Sequence, residues 1–140
     1  MRIHYLLVIV MLSSLSFAGT SETQSSDTRT KITLTTTEKD FVLERMRRML
    51  ETLTAIQISL AQESPEKVDD SVMLMLQFSK ENHPTGLHQL LPEGFKQMSQ
   101  VMNQSWKTLT NEITDPKVIQ KEIVSIMTTC NACHRSYRIE

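Results

Sequence analysis

Residues 115–137 read DPKVIQKEIVSIMTTCNACHRSY, and this stretch decides the class of fold. Asp115 followed by Pro116 is typical of a helix start, because a capping carboxylate precedes a proline whose missing N–H costs nothing in the first turn. Apolar or thiol side chains then recur at alternating steps of four and three residues, the spacing of one helix face. These positions are Ile119, Ile123, Ile126, Cys130, Cys133 and Tyr137. The pattern predicts a helix with one buried stripe.

Three further segments have the same periodicity. The first helix is expected to start near Thr37, because Thr37 and the acidic residue three positions later resemble a capping box. The second is expected to start at Ser64-Pro65, and the third is expected to span about 92–114. Their expected inward positions are Val42, Met46, Met49, Leu53, Ile56 and Leu60, then Val68, Val72, Met75 and Leu76, then Phe95, Met98, Met102, Leu109 and Ile113, with Trp106 close to the last stripe. Four helices with short connections predict an all-α fold, an antiparallel up-down four-helix bundle.

Composition agrees with one helical domain. The chain has 140 residues with only 3 Gly and 4 Pro, which disfavours a turn-rich β fold. The formal net charge is −1, and Lys and Arg are spread along the chain, so no basic stripe indicates nucleic acid or an anionic membrane as a partner. Arg45, Arg47 and Arg48 are expected to form a solvated face of the first helix.

The first 37 residues differ from the rest. Arg2, the short apolar stretch 3–15 and the small residues around Ala18 predict a cleaved secretory signal peptide over 1–18. An uncleaved membrane anchor is the alternative, but the apolar stretch is shorter than the roughly 20 residues that span a bilayer. Residues 19–37 are mostly Ser and Thr and predict a disordered leader, so that 38–140 form the domain.

The candidate chemical site is the string Cys130-Asn131-Ala132-Cys133-His134. On a helix, positions i, i+3 and i+4 project from one face within a single turn. Covalent haem attachment needs this grouping, because two thiols must reach the two vinyl groups while an imidazole lies beneath the iron. C-x-x-C-H is a specific signal for it, and an export signal leads to the compartment where bacteria attach c-type haem. The sequence therefore predicts one covalent haem c in a periplasmic protein, with His134 as proximal iron ligand.

Three other interpretations of the cysteines remain. A redox C-x-x-C pair favours a strand-to-helix turn and a lowered thiol pKa, whereas these cysteines lie near the C-terminal end of a helical chain. A zinc site needs a fourth ligand, and His83 and His88 lie in a connection of uncertain position. A disulfide within one helical turn fits disulfide geometry poorly.

Residues 130–138, Cys-Asn-Ala-Cys-His-Arg-Ser-Tyr-Arg, resemble the C-terminal helix of class II c-type cytochromes, the cytochrome c′ family. A weaker likeness covers 41–140, with a Met- and Arg-rich first helix, Leu-Pro-x-x-Phe opening the third and Asp-Pro opening the fourth. The resemblance implies thioether bonds at Cys130 and Cys133, proximal ligation by His134, and Arg138 pairing with a haem propionate. It also implies a possible homodimer through the first two helices.

The resemblance further implies that the residue facing the other side of the iron comes from the first helix. Met46 or Met49 is then the possible distal iron ligand, although core filling is the common role of buried methionine. His83 or His88 would instead give bis-histidine iron. Asn103 stands where many relatives carry a histidine in the third helix, so no haem-side role is carried over to that position.

The expected function is that of a single-electron carrier that meets redox partner proteins. No catalytic acid, base or second metal cluster is recognisable, so an enzyme is not expected. The alternative is a gas-binding module with five-coordinate iron that admits nitric oxide or carbon monoxide. A haem-free exported helical bundle is the remote alternative. No stable membrane insertion is expected after signal cleavage.

Overall fold

The computed structural model describes residues 27–110 and 113–140, and this part of the chain is mostly helical with one small sheet. The signal peptide predicted over 1–18 and the first part of the leader lie outside the described residues. The elements in chain order are strand β1 (Thr30–Ile32), helix α1 (Thr36–Ala61), a 3₁₀ turn (Pro65–Lys67), helix α2 (Val68–Glu81), a one-turn helix α3 (Leu87–Leu90), helix α4 (Glu93–Thr108), helix α5 (Pro116–Ser136) and strand β2 (Tyr137–Ile139). The helical content is compatible with the predicted all-α class.

Helix α1 begins at Thr36, and its N-cap lies two residues before the expected Thr37. Its N-cap is Thr35, whose hydroxyl accepts from the backbone N–H of Glu38 at 3.5 Å, while Glu38 accepts from the backbone N–H of Thr35 at 2.8 Å. The capping box expected at Thr37 and Asp40 is therefore wrong. The longer glutamate side chain can reach back over three residues to the cap, which is why Glu rather than Asp favours this motif.

Helix α5 begins as predicted and ends earlier. Asp115 accepts from the backbone N–H of Lys117 at 2.9 Å, and Pro116 occupies the first turn. The helix ends at Ser136, so Tyr137 is not the last member of its stripe. Tyr137 instead begins β2, because residues 137–139 find strand partners in β1.

Strands β1 and β2 pair in parallel, with Thr30 opposite Tyr137 and Ile32 opposite Ile139. The side chain of Ile32 is only 2% exposed. Residues 30–32 were expected to belong to a disordered leader, but the structure pairs them with the other end of the chain. No local pattern could show this pairing. Only three residues of a Ser- and Thr-rich stretch form β1, and their partners lie at the far end of the chain. Arg29, just before β1, and its hydrogen-bond partner His134 are 105 positions apart in the sequence.

A shared core joins α1, α2, α4 and α5. Every inward position predicted for the four helices is buried or half-buried, and Trp106 is completely buried. The buried members of this core are Met49, Ile56, Val68, Val72, Met75, Trp106, Leu109, Ile119, Ile123 and Ile126. A smaller cluster around Phe41, Val42 and Leu87 includes Met46 and Ile139 at its edge. The periodicity thus predicted the buried faces.

The middle of the chain shows smaller differences. Ser64 makes no side-chain capping bond, and a 3₁₀ turn precedes α2. Helix α4 ends at Thr108 rather than near 114, although Leu109 remains buried. Among residues 27–110 and 113–140, no helix combines the length and apolar character needed to cross a membrane.

Replacing Ile32 by alanine is expected to lower the free energy of unfolding by about 2 kcal/mol. This is the low end of the range for buried Ile→Ala changes, and we expect it because residues near a chain end are less tightly held. Thermal unfolding monitored by circular dichroism measures the loss. Lys31→Ala, at the exposed neighbouring position, is the matched control. Equal melting temperatures for the two variants would contradict the packing of β1.

Candidate functional site

The three residues of the C-x-x-C-H string lie near the C-terminal end of α5, but their environments differ. Cys133 is 7% exposed, Cys130 is half-buried against the shared core, and His134 is exposed. Helical spacing places their side chains on one face of α5. The structure therefore brings two thiols and an imidazole together within one helical turn.

A cavity of about 250 Å³ opens beside this turn. It is bounded by α1, α4, the end of α5, β2 and the residue preceding β1. Its lining residues are Arg29, Leu43, Met46, Phe95, Cys133, His134, Tyr137, Arg138 and Ile139. Met46, Cys133, His134 and Arg138 were predicted site residues, so one cavity brings together four side chains from three elements.

The two candidate distal methionines lie in different places. Met46 is half-buried and lines the cavity together with Cys133 and His134. Met49, 8% exposed, belongs to the shared core and does not line the cavity. They lie on one face of α1 about one turn apart, so that Met46 is nearer the start of the helix and Met49 nearer its middle. Only Met46 of the two lines the same cavity as His134.

Both cysteines are free thiols. Burial raises the pKa of both, and the neighbouring Cys130 raises that of Cys133 further. The sulfur of Cys133 lies 3.4 Å from the sulfur of Met98 in α4. A raised thiol pKa is the opposite of what activates a redox C-x-x-C pair, so the electrostatics of this turn do not favour that interpretation.

Arg138 lies in β2, not one helical turn beyond His134 as the resemblance implied. Its guanidinium pairs with Glu140 at 2.7 Å and lies 3.8 Å from a carboxylate oxygen of Asp27. Its Nε is buried and has no hydrogen-bond partner among the described residues. This Nε is the atom that faces Asp27, so an anionic group in the cavity would compete with the carboxylates of the chain for the guanidinium.

Arg29 is a cavity residue that the sequence did not reveal. It donates to the backbone carbonyl oxygen of His134 at 3.2 Å and to the carboxylate of Asp27 at 2.6 and 2.9 Å. These hydrogen bonds with Arg29 hold the pKa of Asp27 well below its usual value, and the charge of Arg138 lowers it further. Nothing in a Ser- and Thr-rich segment signalled this role. Phe95 and Tyr137, in contrast, already stood out as stripe positions.

The other histidines lie away from the cavity. His83 packs edge-on against the ring of Phe41, with 5.5 Å between ring centroids, and His88 is exposed on α3. Neither lines the cavity. Within residues 27–110 and 113–140, no group of three or more His, Cys, Asp or Glu side chains is arranged to hold a metal ion by itself.

Arg45 corrects the expectation of a solvated arginine face. It is half-buried, donating to Ser79 at 3.2 Å and to the side-chain oxygen of Asn103 at 2.8 Å, and burial lowers its pKa. Arg47 is exposed as expected, whereas Arg48 is half-buried. Asn103 therefore ties α4 to a half-buried guanidinium of α1, a role that the family resemblance did not suggest.

The donor set fits a covalently attached haem in its chemistry. Two thiols and an imidazole share one turn, and one of these thiols, the imidazole, a thioether and a guanidinium line the same cavity, whereas Cys130 does not line it. The fit in size is partial. Pockets that enclose a drug-sized ligand measure about 300–1,000 Å³, so a cavity of about 250 Å³ would admit only part of a porphyrin unless the walls move.

Comparison with protein-family models, with curated proteins and with solved structures finds no match to this chain. The resemblance of residues 130–138 to class II c-type cytochromes therefore stays a prediction. What supports a function is the placement of the residues around the cavity.

Proposed function

We propose that this chain is an exported c-type cytochrome, a four-helix bundle that carries one covalent haem and transfers single electrons in the periplasm. The observation that carries the proposal is the cavity lined jointly by Met46, Cys133, His134 and Arg138. These are residues from the first helix, the last helix and the final strand, and each has the chemistry that the C-x-x-C-H interpretation requires.

The bundle arrangement is part of this proposal. Residues of α1, α2, α4 and α5 share one core, and connections of a few residues join α1 to α2 and α4 to α5. Short connections favour antiparallel neighbours. An antiparallel α1 and α5 would place the first half of α1 beside the end of α5, in agreement with Met46 and His134 lining the same cavity.

Each site residue has one role in the proposal. Cys130 and Cys133 would hold the haem through thioether bonds, and His134 would ligate its iron. Met46 would be the second iron ligand. A haem held by these residues would supply reversible one-electron chemistry at iron.

Arg138 and Arg29 are the residues proposed to lie beside the haem propionates. Arg138 faces Glu140 through its Nη1 and Asp27 through its Nε, so pairing with a propionate requires it to release one of these carboxylates. Arg29 lies close by and adds a second guanidinium to the same wall. Two cations around a partly enclosed anionic group stabilise it by charge-assisted hydrogen bonds.

One observation supports the gas-binding alternative. Leu43 lines the same cavity as Met46, so an apolar side chain is also available on the α1 side of the iron. If Leu43 rather than Met46 faced the iron, the sixth position would stay open to carbon monoxide or nitric oxide.

A homodimer also belongs to the proposal. Leu50 and Leu74 are 67% and 69% exposed, and Ile58 and Met73 are each 51% exposed. These side chains lie on α1 and α2, the helices that the family resemblance implies for dimerisation. Exposed apolar patches of this kind often mark protein interfaces.

The test is to express the full chain with a haem-attachment system and an export pathway, and to purify the mature protein. Intact mass is expected to rise by one haem, and the pyridine haemochrome spectrum is expected to show two thioether bonds. The carrier assignment further predicts a low-spin spectrum that carbon monoxide leaves unchanged. A carbon monoxide-induced change would favour the gas-binding alternative.

The double variant Cys130→Ala/Cys133→Ala is the matched control, and it should carry no covalent haem. Unmodified mass in the wild-type protein, with both thiols open to alkylation after denaturation, would overturn the proposal and leave the haem-free bundle.

A further inference from the structure

The solvent-facing side of α5 has one sign of charge. Lys117, Lys121 and Arg135 are exposed, and helical spacing places them on the same side as Val124 and Thr128. The one acidic residue of α5, Glu122, is half-buried and lies on the opposite side of the helix. None of the three cations forms an ion pair with a carboxylate in the described part of the chain.

Apolar side chains lie next to these charges. Val124 of α5 and Val101 of α4 are each 55% exposed. A groove of about 300 Å³ runs between α4 and α5 beside them. The groove is lined by Gly94, Gln97, Met98, Val101, Thr128, Thr129 and Ala132. We call the surface formed by this groove, Val124 and the three cations of α5 the α4–α5 face.

The α4–α5 face adjoins the candidate haem site. Met98 lines the groove, and its sulfur lies 3.4 Å from the sulfur of Cys133, which lines the cavity on the other side. Ala132, between the two cysteines, is also a groove residue. A molecule seated in the groove would therefore be separated from the thioether position of Cys133 by a single side chain.

We propose that the α4–α5 face is the docking surface for an acidic redox protein, with Met98 and Cys133 between the partner and the haem site. This inference rests on the proposed function. One electron passes between the iron held by this chain and a one-electron centre of the partner, so that one centre is oxidised as the other is reduced and no bond forms or breaks.

The charge of the α4–α5 face and the symmetry of protein dimers favour an acidic partner protein over a second copy of this chain. An apolar centre with a charged rim is the usual anatomy of a transient protein interface, and cations on the rim attract a partner of opposite sign. A second copy could offer Asp69 and Asp70 of α2, but that contact would join two different surfaces and would not close into a dimer. The overall formal charge of −1 disfavours nucleic acid or an anionic membrane.

The test uses the ¹⁵N-labelled, haem-loaded mature protein and, as probe, a plant-type [2Fe–2S] ferredoxin, a small acidic one-electron protein. Its paramagnetic cluster broadens nearby amide signals. The expected result is broadening of amides in 97–104 and 124–132, with no change in α2. Binding is expected to weaken steeply between about 50 and 500 mM salt, since rim charges are screened over a Debye length of about 14 to 4 Å.

Two charge-reversal variants separate local docking from overall charge. Lys117→Glu/Lys121→Glu is expected to weaken binding about tenfold at low salt. Lys67→Glu/Lys80→Glu changes the net charge equally at exposed positions outside the α4–α5 face, and it should weaken binding by less than about twofold. Val101→Ser/Val124→Ser should weaken binding at every salt concentration without altering the salt dependence.

Equal effects of the two charge-reversal variants, or broadening confined to α1 and α2, would overturn the docking proposal. So would broadening of the α4–α5 amides that depends on the concentration of this chain alone, since it would show self-association. The two proposals fail differently. Unmodified intact mass rejects the haem function, whereas attached haem with an unaffected α4–α5 face rejects only the docking surface.

Discussion

Replacing Met46 by leucine is expected to turn a low-spin, six-coordinate haem into a five-coordinate one that binds carbon monoxide stoichiometrically, whereas Met49→Leu should leave the spectrum unchanged. Met46 lines the cavity with His134, while Met49 is 8% exposed in the shared core. Leucine removes the thioether ligand and nearly conserves the volume, so each change should cost less than about 1.5 kcal/mol of stability. Loss of the methionine ligand should also lower the reduction potential.

Absorption spectra of the reduced protein with and without carbon monoxide measure this outcome. Met49→Leu is the matched control, because it is the same change three residues away on the same helix. A reversed result, with Met49→Leu opening the iron, would mean that the cavity does not mark the distal side. A wild-type protein that already binds carbon monoxide would assign the α1 side to a non-ligand such as Leu43.

Replacing Trp106 by alanine is expected to cost about 3–5 kcal/mol of the free energy of unfolding, a large part of the roughly 5–15 kcal/mol that a domain has. Trp106 is 0% exposed and belongs to the core shared by α1, α2, α4 and α5. The surrounding side chains come from four helices, so the cavity left by the indole cannot collapse easily.

Urea unfolding followed by circular dichroism measures this loss, and the slope of the transition should stay unchanged. Trp106→Phe is the informative companion variant. The indole Nε1 is buried and has no hydrogen-bond partner among residues 27–110 and 113–140, so phenylalanine removes a costly donor while keeping an aromatic ring. A loss below about 1 kcal/mol for Trp106→Ala would contradict the central position of this side chain.

Arg45 of α1 has polar partners on other helices rather than a solvated position. Arg45 is the second residue of the string Glu-Arg-Met-Arg-Arg, which read as a charged helix face. In the folded protein its guanidinium reaches Ser79 and Asn103 on two other helices. Sequence spacing placed Arg45 one step from the buried stripe, but only the neighbouring helices could supply its polar partners.

By itself, the sequence determined the helical class, the buried stripes and the single turn that holds Cys130, Cys133 and His134. It could do so because helical periodicity and the capping signal at Asp115-Pro116 depend on residues within a few positions of one another. The tertiary structure alone placed Met46 at the cavity and Met49 in the shared core, paired Ile32 with the last strand, and brought Arg29 to the site. These features join segments that are distant along the chain, so their energies arise only when the helices pack, and no local pattern records them.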